Sequence, residues 1–464
     1  MKKLGLVIAD GVGYRNFVMS DFLKVALKEY DEVIVYSGLI KELYNDFTQD
    51  NLTVRELDIF REHKFTWFLR KLKEVAHMRK HLSFFGINTS FNNGKTKKIK
   101  SVTSLLNLLA YQITNIFHSE KSILFYEKHQ YNSLKQTKEF SNYIEFLSID
   151  SPDYLFFTHQ RPYNLSPLLA AAKALKIKTS TFIFSWDNLA SKGRMLGTFD
   201  SYLVWSNLMK DEMKYFYPTS ISNDIKVVGT PQFEPYVLEE YKSDNNYFNE
   251  EFNLDNTKKT IYYSCGDVST SKLDPLYIEV IAKAIENKKI EQVNFIVRTS
   301  PAEDNTRFME IMEKYSNITW NFPDWTLTRT NHTETWSQRV PSKKDIKDLR
   351  AILTYADVNI NMCSTMSLDF MVFDKPVINS VFGNEQNGLY NDQKYLEYVH
   401  YKKVTDSGAV VVAKSENELI ESINIALENP LLYSSNRKVI LDLEIGATLK
   451  GTSERIVKAL NELA

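Results

Sequence analysis

The sequence has 464 residues, of which 43% are hydrophobic and 25% are charged, with a formal net charge of -1. This length suits two or three domains, and this composition is typical of a soluble globular protein. Because a near-neutral chain has no global positive field, we expect no nucleic-acid partner.

The N-terminal half alternates short apolar strands with helices, which is typical of an α/β protein with a parallel, doubly wound sheet. Leu4–Ala9 has the pattern of a buried strand closed by a turn at Asp10–Gly13, and Phe17–Tyr30 has the spacing of a helix. A helix is also expected to start at Ser166–Pro167. Further strands are predicted at Glu32–Tyr36, Tyr154–Phe157, Thr179–Phe184, Tyr202–Trp205 and Ile225–Val228.

Residues 61–140 interrupt this alternation and are predicted to form a helical insertion in the first domain. Basic and aromatic side chains intermingle from Arg61 to Lys100. This stretch has two interpretations: a solvated helical face, or a patch that contacts anionic lipid or a lipid-linked phosphate acceptor. An insertion can be charged without having a function, which favours the solvated face.

The polar, acidic stretch 234–259 is predicted to be a linker between an N-terminal domain at 1–233 and a C-terminal domain at 260–445. A closing helix within 446–464 can belong to either domain and can cross back to the first. The second α/β series has predicted strands at Ile261–Ser264, Val293–Arg298, Val358–Asn361 and Pro376–Asn379. The sequence thus predicts two α/β domains of similar design.

Cysteine content and hydropathy bear on the location of the protein. Cys265 and Cys363 lie too far apart for a zinc motif and are too few for a disulfide scaffold, so a reducing compartment is expected. The apolar run after Met1–Lys3 is too short for a signal peptide, and no run of about 18 apolar residues predicts a membrane span. We expect a cytoplasmic protein, with peripheral contact to the inner membrane face as an open alternative.

The most informative local pattern runs from Asn361 to Asp369. A strand ends and a helix starts at Ser364, and the free backbone N–H groups of a helix N-terminus can bind an anion. Asp369 follows one turn later, where its carboxylate could accept hydrogen bonds from two ribose hydroxyls. The alternative is that Ser364 only caps the helix and that Asp369 is a solvated helix residue.

This segment resembles the donor-binding motif of GT-B glycosyltransferases, in which a Ser/Thr pair, an acidic helix residue and a Pro-Val-Ile ending recur. The resemblance implies two Rossmann-like domains facing a cleft. It also implies that Ser364, Thr365 and Ser367 hold phosphate oxygens and that Asp369 holds the ribose. In two positions the sequence departs from the family: Asp369 replaces a glutamate, and Asp374 stands where glycine is preferred.

Other segments of the C-terminal half fit the same resemblance. Arg298 lies in a segment similar to the Arg-x-Ser-Pro segment of bacterial transferases, including CDP-glycerol-dependent polymerases, and suits a pyrophosphate; a surface salt bridge is the alternative. Gly266 corresponds to the turn beneath the donor. His400 can face the donor or be an ordinary core or surface histidine. Asn361 stands where retaining enzymes carry a first carboxylate, which favours an inverting reaction.

In the N-terminal half, the resemblance places candidate residues at the ends of three strands. Asp10, in a glycine-rich turn like that of the peptidoglycan glucosaminyl transferase, is the first candidate for general base; a turn-forming role is the alternative. Asp187 is the second candidate, or else positions the acceptor. Trp186 can stack on an acceptor ring or belong to the core. Asn188 and His159 are expected to line the same cleft.

The resemblance implies an inverting glycosyltransferase of bacterial polysaccharide biosynthesis that uses a nucleotide-sugar as co-substrate and needs no further cofactor. The acceptor would be a glycan, a lipid-linked molecule or a protein. No two aspartates are separated by a single residue, the manganese-binding signature of the other main transferase fold, so no metal is expected. A polyol-phosphate transferase that uses CDP-glycerol, a nucleotide-sugar epimerase of the same fold and a non-catalytic partner subunit are the alternatives.

Overall fold

The computed structural model describes residues 2–47, 49–332, 334–383 and 392–463. The chain forms two compact units, and both are discontinuous in sequence. The first unit contains Met1–Gln232, Thr328–Gln338 and Glu444–Ala464, and the second contains Phe233–Leu327 and Arg339–Leu443. The first unit therefore differs from the expected domain 1–233 by including two segments from the second half of the chain.

The first unit is built, in its described residues, on a seven-stranded parallel sheet in the order β3-β2-β1-β4-β5-β6-β7. The strands are β1 Lys3–Ile8, β2 Glu32–Ser37, β3 Leu52–Glu56, β4 Tyr154–Phe157, β5 Lys178–Phe182, β6 Ser201–Val204 and β7 Asp224–Val227. The strand order changes direction between β1 and β4. Ligands of such sheets bind beside the carboxyl ends of the strands at this switch point.

Helices cover this sheet in the described part of the first unit. They are α1 Gly11–Phe17, α2 Phe22–Glu29, α3 Lys64–Lys80, α4 Phe85–Asn93, α5 Val102–Ile113, α6 Glu120–Leu134, α7 Lys138–Asp150, α8 Ser166–Ala174, α9 Asn188–Ser191 and α10 Asn207–Phe216. The single helix expected over Phe17–Tyr30 is thus two helices. The first starts at Gly11 because Asp10 caps it, and the chain leaves the helical path between Phe17 and Phe22.

The helical insertion expected at 61–140 consists of α3 to α7 in the described residues. It has its own apolar core, in which Leu69, Leu72 and Ala76 of α3 pack against Ala110 of α5 and Ile123 of α6. Helix α3 is therefore packed by α4, α5 and α6 of the insertion.

The second unit contains, in its described residues, a six-stranded parallel sheet in the order β10-β9-β8-β13-β14-β15 and an antiparallel pair, β11 and β12. The switch point lies between β8 and β13. The strands are β8 Thr260–Ser264, β9 Asn294–Arg298, β10 Thr319–Asn321, β11 Trp325–Leu327, β12 Arg339–Pro341, β13 Val358–Asn361, β14 Val377–Ser380 and β15 Val411–Ala413. The helices are α11 Asn245–Glu251, α12 Asp274–Glu286, α13 Met309–Lys314, α14 Lys343–Tyr355, α15 Met366–Met371, α16 Val399–Asp406, α17 Glu416–Glu428 and α18 Ser434–Glu444.

The stretch 234–259, expected to be a linker, is instead part of the second unit. It forms short 3₁₀ turns and α11, and α11 packs against α14. The reason is aromatic burial: Tyr236, Tyr241, Phe248 and Phe252 are all at most 4% exposed. Apolar rings spaced through a polar sequence are enough to anchor a segment.

The closing helix α19, Thr452–Leu463, belongs to the first unit, where it packs against α2. Its buried side chains include Ile456, Val457 and Leu460. This settles the open choice between the two domains in favour of the first.

Candidate active site

Asp10 and His159 meet at the switch point of the first sheet. They follow β1 and β4, which pair in parallel with Val7 opposite Phe157. An oxygen of Asp10, Oδ2, lies 3.0 Å from Nδ1 of His159. The side chains are mostly buried, with 5% of Asp10 and 12% of His159 exposed. Two residues 149 positions apart therefore form one polar pair at the edge where ligands are expected.

The start of α1 fixes the carboxylate of Asp10. Its Oδ1 accepts a hydrogen bond of 2.7 Å from the backbone N–H of Gly13, so Asp10 is the N-cap of the helix. A Cβ atom at Gly13 would lie 3.3 Å from the hydroxyl of Thr158 and 3.4 Å from Oδ1 of Asp10. Glycine at this position thus leaves room for the carboxylate that faces His159.

Two contacts orient the ring of His159. Asp10 bonds Nδ1, and the ring stacks on Phe184 with a centroid distance of 3.9 Å and an interplanar angle of 17°. Because a carboxylate only accepts hydrogen bonds, Nδ1 is the donor of this bond, and in the neutral form of the ring the lone pair is then on Nε2. An imidazole that is oriented by a carboxylate and has a free ring nitrogen can act as a general base.

A cavity of about 330 Å³ adjoins this pair, which is within the range of small-molecule sites. Its wall comes entirely from the first unit: from α3, from the turns after β1 and β4, and from the segment 334–337. It combines charged groups with two aromatic rings. The lining includes Asp10, His159, Arg161, Tyr163, Arg70, Glu74, Glu334 and Trp336. A wall of this kind can bind a polar ring by stacking and hydrogen bonding.

The charges on the α3 side of the cavity are paired. Arg70 donates to both carboxylate oxygens of Glu62 at 2.8 to 3.0 Å and to Glu74 at 2.7 Å, and it lies over the ring of Tyr163. Burial raises the pKa of Glu74, but the positive charges of Arg70, Lys71 and Arg161 outweigh it and lower that pKa to about 2. Glu74 is therefore ionised throughout the neutral range.

The segment 328–338, which carries Glu334 and Trp336, is anchored in the first unit by an arginine. Arg329 forms an ion pair with Glu56 and donates hydrogen bonds to the carbonyl oxygens of Leu57 at 3.3 Å and Leu39 at 3.4 Å. Neither this segment nor Arg70 and Glu74 was predicted from the sequence to line a site. Only the alternation of Arg70 with Glu62 and Glu74 is visible in the sequence, and such spacing is common on solvated helices.

Asp187 is held by its own turn. Its carboxylate accepts from Asn188 at 2.9 Å and from Ser191 at 3.0 Å, and Lys192 lies 3.4 Å away. The oxygen of Asn188 accepts from Gln160 at 2.9 Å, which ties this turn to the residue after His159. Trp186 is only 3% exposed and belongs to the core. The structure thus pairs Asp10 with His159, whereas Asp187, Trp186 and Asn188 do not line the cavity beside that pair.

In the second unit, Gly266 lies in a tight turn after β8. Its N–H donates to Asp274 at 2.9 Å and its carbonyl accepts from Arg307 at 2.7 Å. A Cβ atom at this position would lie 2.7 Å from Cβ of Ser271, so only glycine fits. Burial raises the pKa of Asp274 to about 6, although Arg307 opposes this shift. The glycine expected beneath a donor is thus also required by the packing of its own turn.

Arg298 ends β9 and is 7% exposed. One of its terminal nitrogens donates to both carboxylate oxygens of Asp345 at 2.8 and 2.9 Å, and the other donates to Asn321. Asp345 also accepts from the backbone of Asp324 and from the indole of Trp325. Arg298 was expected to face a pyrophosphate, but its guanidinium forms an ion pair with Asp345. This matches the salt-bridge alternative, except that the pair is buried and not on the surface.

The segment after β13 forms a preshaped turn. Cys363 has a positive φ of 48°, the N–H of Ser364 donates to Asn361 at 2.9 Å, and the hydroxyl of Ser364 accepts from the N–H of Met366. Ser364 and Thr365 are half-buried, and Thr365, rather than Ser364, immediately precedes α15. These two residues lie in the turn at the switch point of the second sheet.

The other two residues of this motif face inward. Ser367 is fully buried, and its hydroxyl lies 2.7 Å from that of Tyr401 and 3.1 Å from the amide of Asn361. Asp369 is 3% exposed and accepts a hydrogen bond from Tyr236. Ser367 thus supports the turn through Asn361, whereas Asp369 is buried against Tyr236, so the solvated alternative for Asp369 does not describe its position.

His400 lies at the start of α16 and is half-buried. Its ring is 5.8 Å from the ring of Tyr398 and 6.4 Å from that of Tyr401. His400 is adjacent in sequence to Tyr401, whose hydroxyl lies within hydrogen-bond distance of the hydroxyl of Ser367.

The described residues contain neither a metal-binding cluster nor a membrane-spanning helix. In this part of the chain, no group of three or more His, Cys, Asp or Glu side chains could hold a metal ion. Nor does any described helix combine the length and the hydropathy needed to cross a membrane.

Comparison with known proteins finds no family model and no curated protein that matches the sequence. Solved structures do match. MnaA from Staphylococcus aureus in complex with UDP aligns with a TM-score of 0.55 at 10% identity, over 100% of this chain and 97% of that one. UDP-GlcNAc 2-epimerase from Neisseria meningitidis bound to UDP-GlcNAc aligns with a TM-score of 0.51 at 12% identity, over 100% of both chains.

A glycosyltransferase from Rickettsia africae aligns with a TM-score of 0.51 at 10% identity, over 100% of this chain and 98% of that one. Identities this low show the fold alone. Together with the two parallel sheets, they confirm the expected fold class. The chain has the GT-B fold, with two Rossmann-like α/β units.

Proposed function

We propose that the protein is a nucleotide-sugar-dependent glycosyltransferase of the cytoplasm in which His159, oriented by Asp10, deprotonates an acceptor hydroxyl. The observation that carries this proposal is the Asp10–His159 pair, which borders a cavity of about 330 Å³ at the switch point of the first sheet. The volume leaves room for an acceptor ring beside Nε2 of His159.

The chemistry follows from the orientation of the imidazole. As Nε2 takes the hydroxyl proton, the acceptor oxygen attacks the anomeric carbon, and the bond from that carbon to the diphosphate oxygen breaks. Asp10 stabilises the imidazolium that forms. One displacement of this kind inverts the anomeric centre. A positioned general base typically contributes about 10²–10⁴ to the rate.

We assign the donor diphosphate to the turns after β8 and β13, where Gly266, Ser364 and Thr365 are half-buried. Backbone N–H groups and hydroxyls of such turns can bind phosphate oxygens. Arg298, Ser367 and Asp369 are positioning residues in this proposal, because their polar atoms are engaged inside the second unit. His400 remains a candidate contact to the donor.

A nucleotide-sugar epimerase is the second candidate. It is favoured by the UDP-GlcNAc 2-epimerases among the solved structures, which align over nearly the whole chain with TM-scores of 0.51 to 0.54. An epimerase would convert the donor alone and would need no acceptor. The two functions therefore differ in whether a second substrate is consumed.

The test begins with a panel of nucleotide-sugars, together with CDP-glycerol, and measures the melting temperature. A ligand that binds only the folded state raises it. NMR then follows the selected donor with and without glycan, lipid-linked and peptide acceptors. Acceptor-dependent release of nucleoside diphosphate supports the transferase; epimerisation without acceptor supports the second candidate. Failure of every nucleotide to raise the melting temperature contradicts both. Adding EDTA tests the proposed independence from metal.

A further inference from the structure

The basic stretch between Arg61 and Lys100 divides into two parts in the structure. On α3, most of the basic side chains have partners within the first unit. Arg70 is paired with Glu62 and Glu74, Lys73 donates to the carbonyl of Leu196, Arg79 donates to that of Tyr111, and Lys80 is paired with Glu120. Burial also lowers the pKa of Lys73 to about 8. These residues hold the insertion together and are not a free charged surface.

The loop between α4 and α5 is different. Lys97, Lys98 and Lys100 are exposed, and no ion pair between described residues involves them. The surrounding sequence gives them no countercharge, since 75–119 contains six Lys and Arg residues but no Asp or Glu, in a chain with 58 acidic residues. The loop therefore carries a local positive potential that the net charge of the whole chain conceals.

An apolar stripe continues from this loop along α5. Side chains three or four positions apart lie on one face of a helix, and on this face they are exposed. The stripe comprises Val102, Leu105, Leu109 and Ile113, followed beyond the helix by Ile116 and Phe117, with exposures from 36% to 76%. On the opposite face, Ala110 and Tyr111 are buried, and α5 packs there against α3. The exposed leucines are therefore not needed for the core.

A contiguous apolar stripe in water indicates a surface that something covers. A second copy of this chain is an unfavourable occupant, because a symmetric interface would place the same lysines opposite each other without any carboxylate. An anionic bilayer satisfies both features at once. Apolar side chains enter the boundary between headgroups and acyl chains, and lysines contact the headgroups.

We propose that α5 and the loop 95–101 form a docking face for an anionic lipid surface, with α5 lying along the membrane plane. This inference goes beyond the proposed reaction and does not depend on it. Helix α3 lies between the docking face and the cavity: α5 packs against α3, and α3 contributes Arg70 and Glu74 to the cavity wall.

The experiment is flotation of the full chain with vesicles of phosphatidylcholine alone or of phosphatidylcholine mixed with phosphatidylglycerol. We expect binding to the mixed vesicles, much weaker binding to the neutral ones, and loss of binding at high salt. Absence of binding to the mixed vesicles overturns the proposal. Equal binding to both kinds of vesicle also overturns it, because the lysines would then have no role.

Variants locate the contact. Replacing Lys97, Lys98 and Lys100 together by Gln should weaken partitioning roughly 100-fold, at about fivefold for each lysine. Leu105→Gln combined with Leu109→Gln should weaken it by at least about tenfold, since less apolar surface enters the lipid. Glutamine preserves helix propensity, so α5 should persist.

Matched controls use exposed residues of the same kinds elsewhere. They are the triple change of Lys414, Lys438 and Lys458 to Gln and the double change of Leu431 and Val439 to Gln. Partitioning of the controls should equal that of the wild type. If the controls lose as much binding as the α5 variants, the face is not specific. If the Leu105/Leu109 variant instead abolishes a concentration-dependent dimer in a wild type that ignores vesicles, the occupant is a second copy.

Discussion

The proposed mechanism depends on two residues, Asp10 and His159, at the ends of neighbouring strands of the first sheet. The structure joins them through a hydrogen bond of 3.0 Å and adds the ring of Phe184 behind the imidazole. This pairing changes the proposed roles. Asp10 caps a helix with one oxygen and faces His159 with the other, so it is better suited to orient a base than to be one.

We predict that His159→Gln and Asp10→Asn each reduce kcat by about 10²–10⁴ while the donor KM stays nearly constant. In Asp10→Asn, the amide oxygen can keep the bond to Gly13, but the amide NH₂ then faces Nδ1. This forces the hydrogen onto Nε2 and blocks proton uptake. The measurement is kcat at saturating donor and acceptor.

Asp187→Asn is the matched control, because that carboxylate is bonded within its own turn. It should retain kcat within about tenfold of the wild type, since no base is removed. A large loss in Asp187→Asn together with wild-type activity of the other two variants would move the base to Asp187. It would also remove the main support for the proposed mechanism.

Arg298 allows a prediction about stability. Arg298→Met leaves Asp345 buried without its cation, which should lower the free energy of unfolding by about 3–5 kcal/mol. Urea unfolding followed by circular dichroism measures this change. If stability is unaffected and only the affinity for nucleotide falls, Arg298 contacts the diphosphate directly, as the sequence resemblance implied.

The roles of these residues illustrate what a sequence reveals at this scale. An arginine at a strand end is visible, but its carboxylate partner is 47 residues away and is brought near only by the fold. Arg70 and Glu74 are likewise visible on α3, but only the fold brings them to the same cavity as Asp10 and His159. Residue types and strand ends were predictable, whereas pairings over long sequence distances were not.

Among the elements, α3 contains several buried polar side chains. Burial, with smaller effects from Arg194 and His81, holds the pKa of His77 well below its usual value. Burial likewise lowers the pKa of His81 to about 4. Both rings are therefore neutral in the folded protein at pH 7, and neither ring nitrogen of His77 has a hydrogen-bond partner among the described residues.

This burial predicts sensitivity to acid. Because the unfolded chain takes up a proton on His77 near pH 6.5 and the folded chain does not, stability falls as the pH drops below about 6.5. His77→Leu should remove this contribution. The slope of the free energy of unfolding against pH should then fall by up to about 1.4 kcal/mol per pH unit. At pH 7.5 the variant should be as stable as the wild type or more so, since an unsatisfied polar ring is removed.

The comparison between variants matters because other groups titrate in the same range. The raised pKa of Asp274, about 6, has the opposite sign: its protonation below pH 6 favours the folded state. Both proteins share that contribution, so the difference between their unfolding curves isolates His77. An identical slope for His77→Leu and wild type would show that His77 is not neutral in the folded state.

Elements of the sheets were largely predictable and those outside them were not. Tyr154–Phe157 coincides with β4 because a strand buried on both faces is a continuous apolar run. Val358–Asn361 coincides with β13, although its Val and Ile alternate with two buried Asn residues. The polar composition of 234–259 indicated a linker, yet its four buried aromatic rings place it in the second unit. The average polarity of this stretch does not reveal the few aromatic side chains that anchor it.

For the whole molecule, the assembly of the first unit from three chain segments has a consequence for stability. Helix α19 packs against α2, and Leu460 is fully buried. Leu460→Ala should lower the free energy of unfolding of the first unit by about 2–5 kcal/mol. Lys458→Ala, exposed on the same helix, should change it by less than about 0.5 kcal/mol. Nucleotide affinity of the second unit, measured by calorimetry, should be unchanged in both variants.

Residues 334–337 form part of the wall of the cavity beside His159, and the first unit also includes the last helix, α19. During synthesis, a chain emerges from the ribosome from its N-terminus and folds as its parts become available. The first unit begins earliest but lacks its last helix until residue 463 has been made, whereas all segments of the second unit are present by residue 443. The second unit can therefore finish folding before the first, so an interrupted chain would carry the proposed nucleotide-binding unit without a completed base-bearing unit.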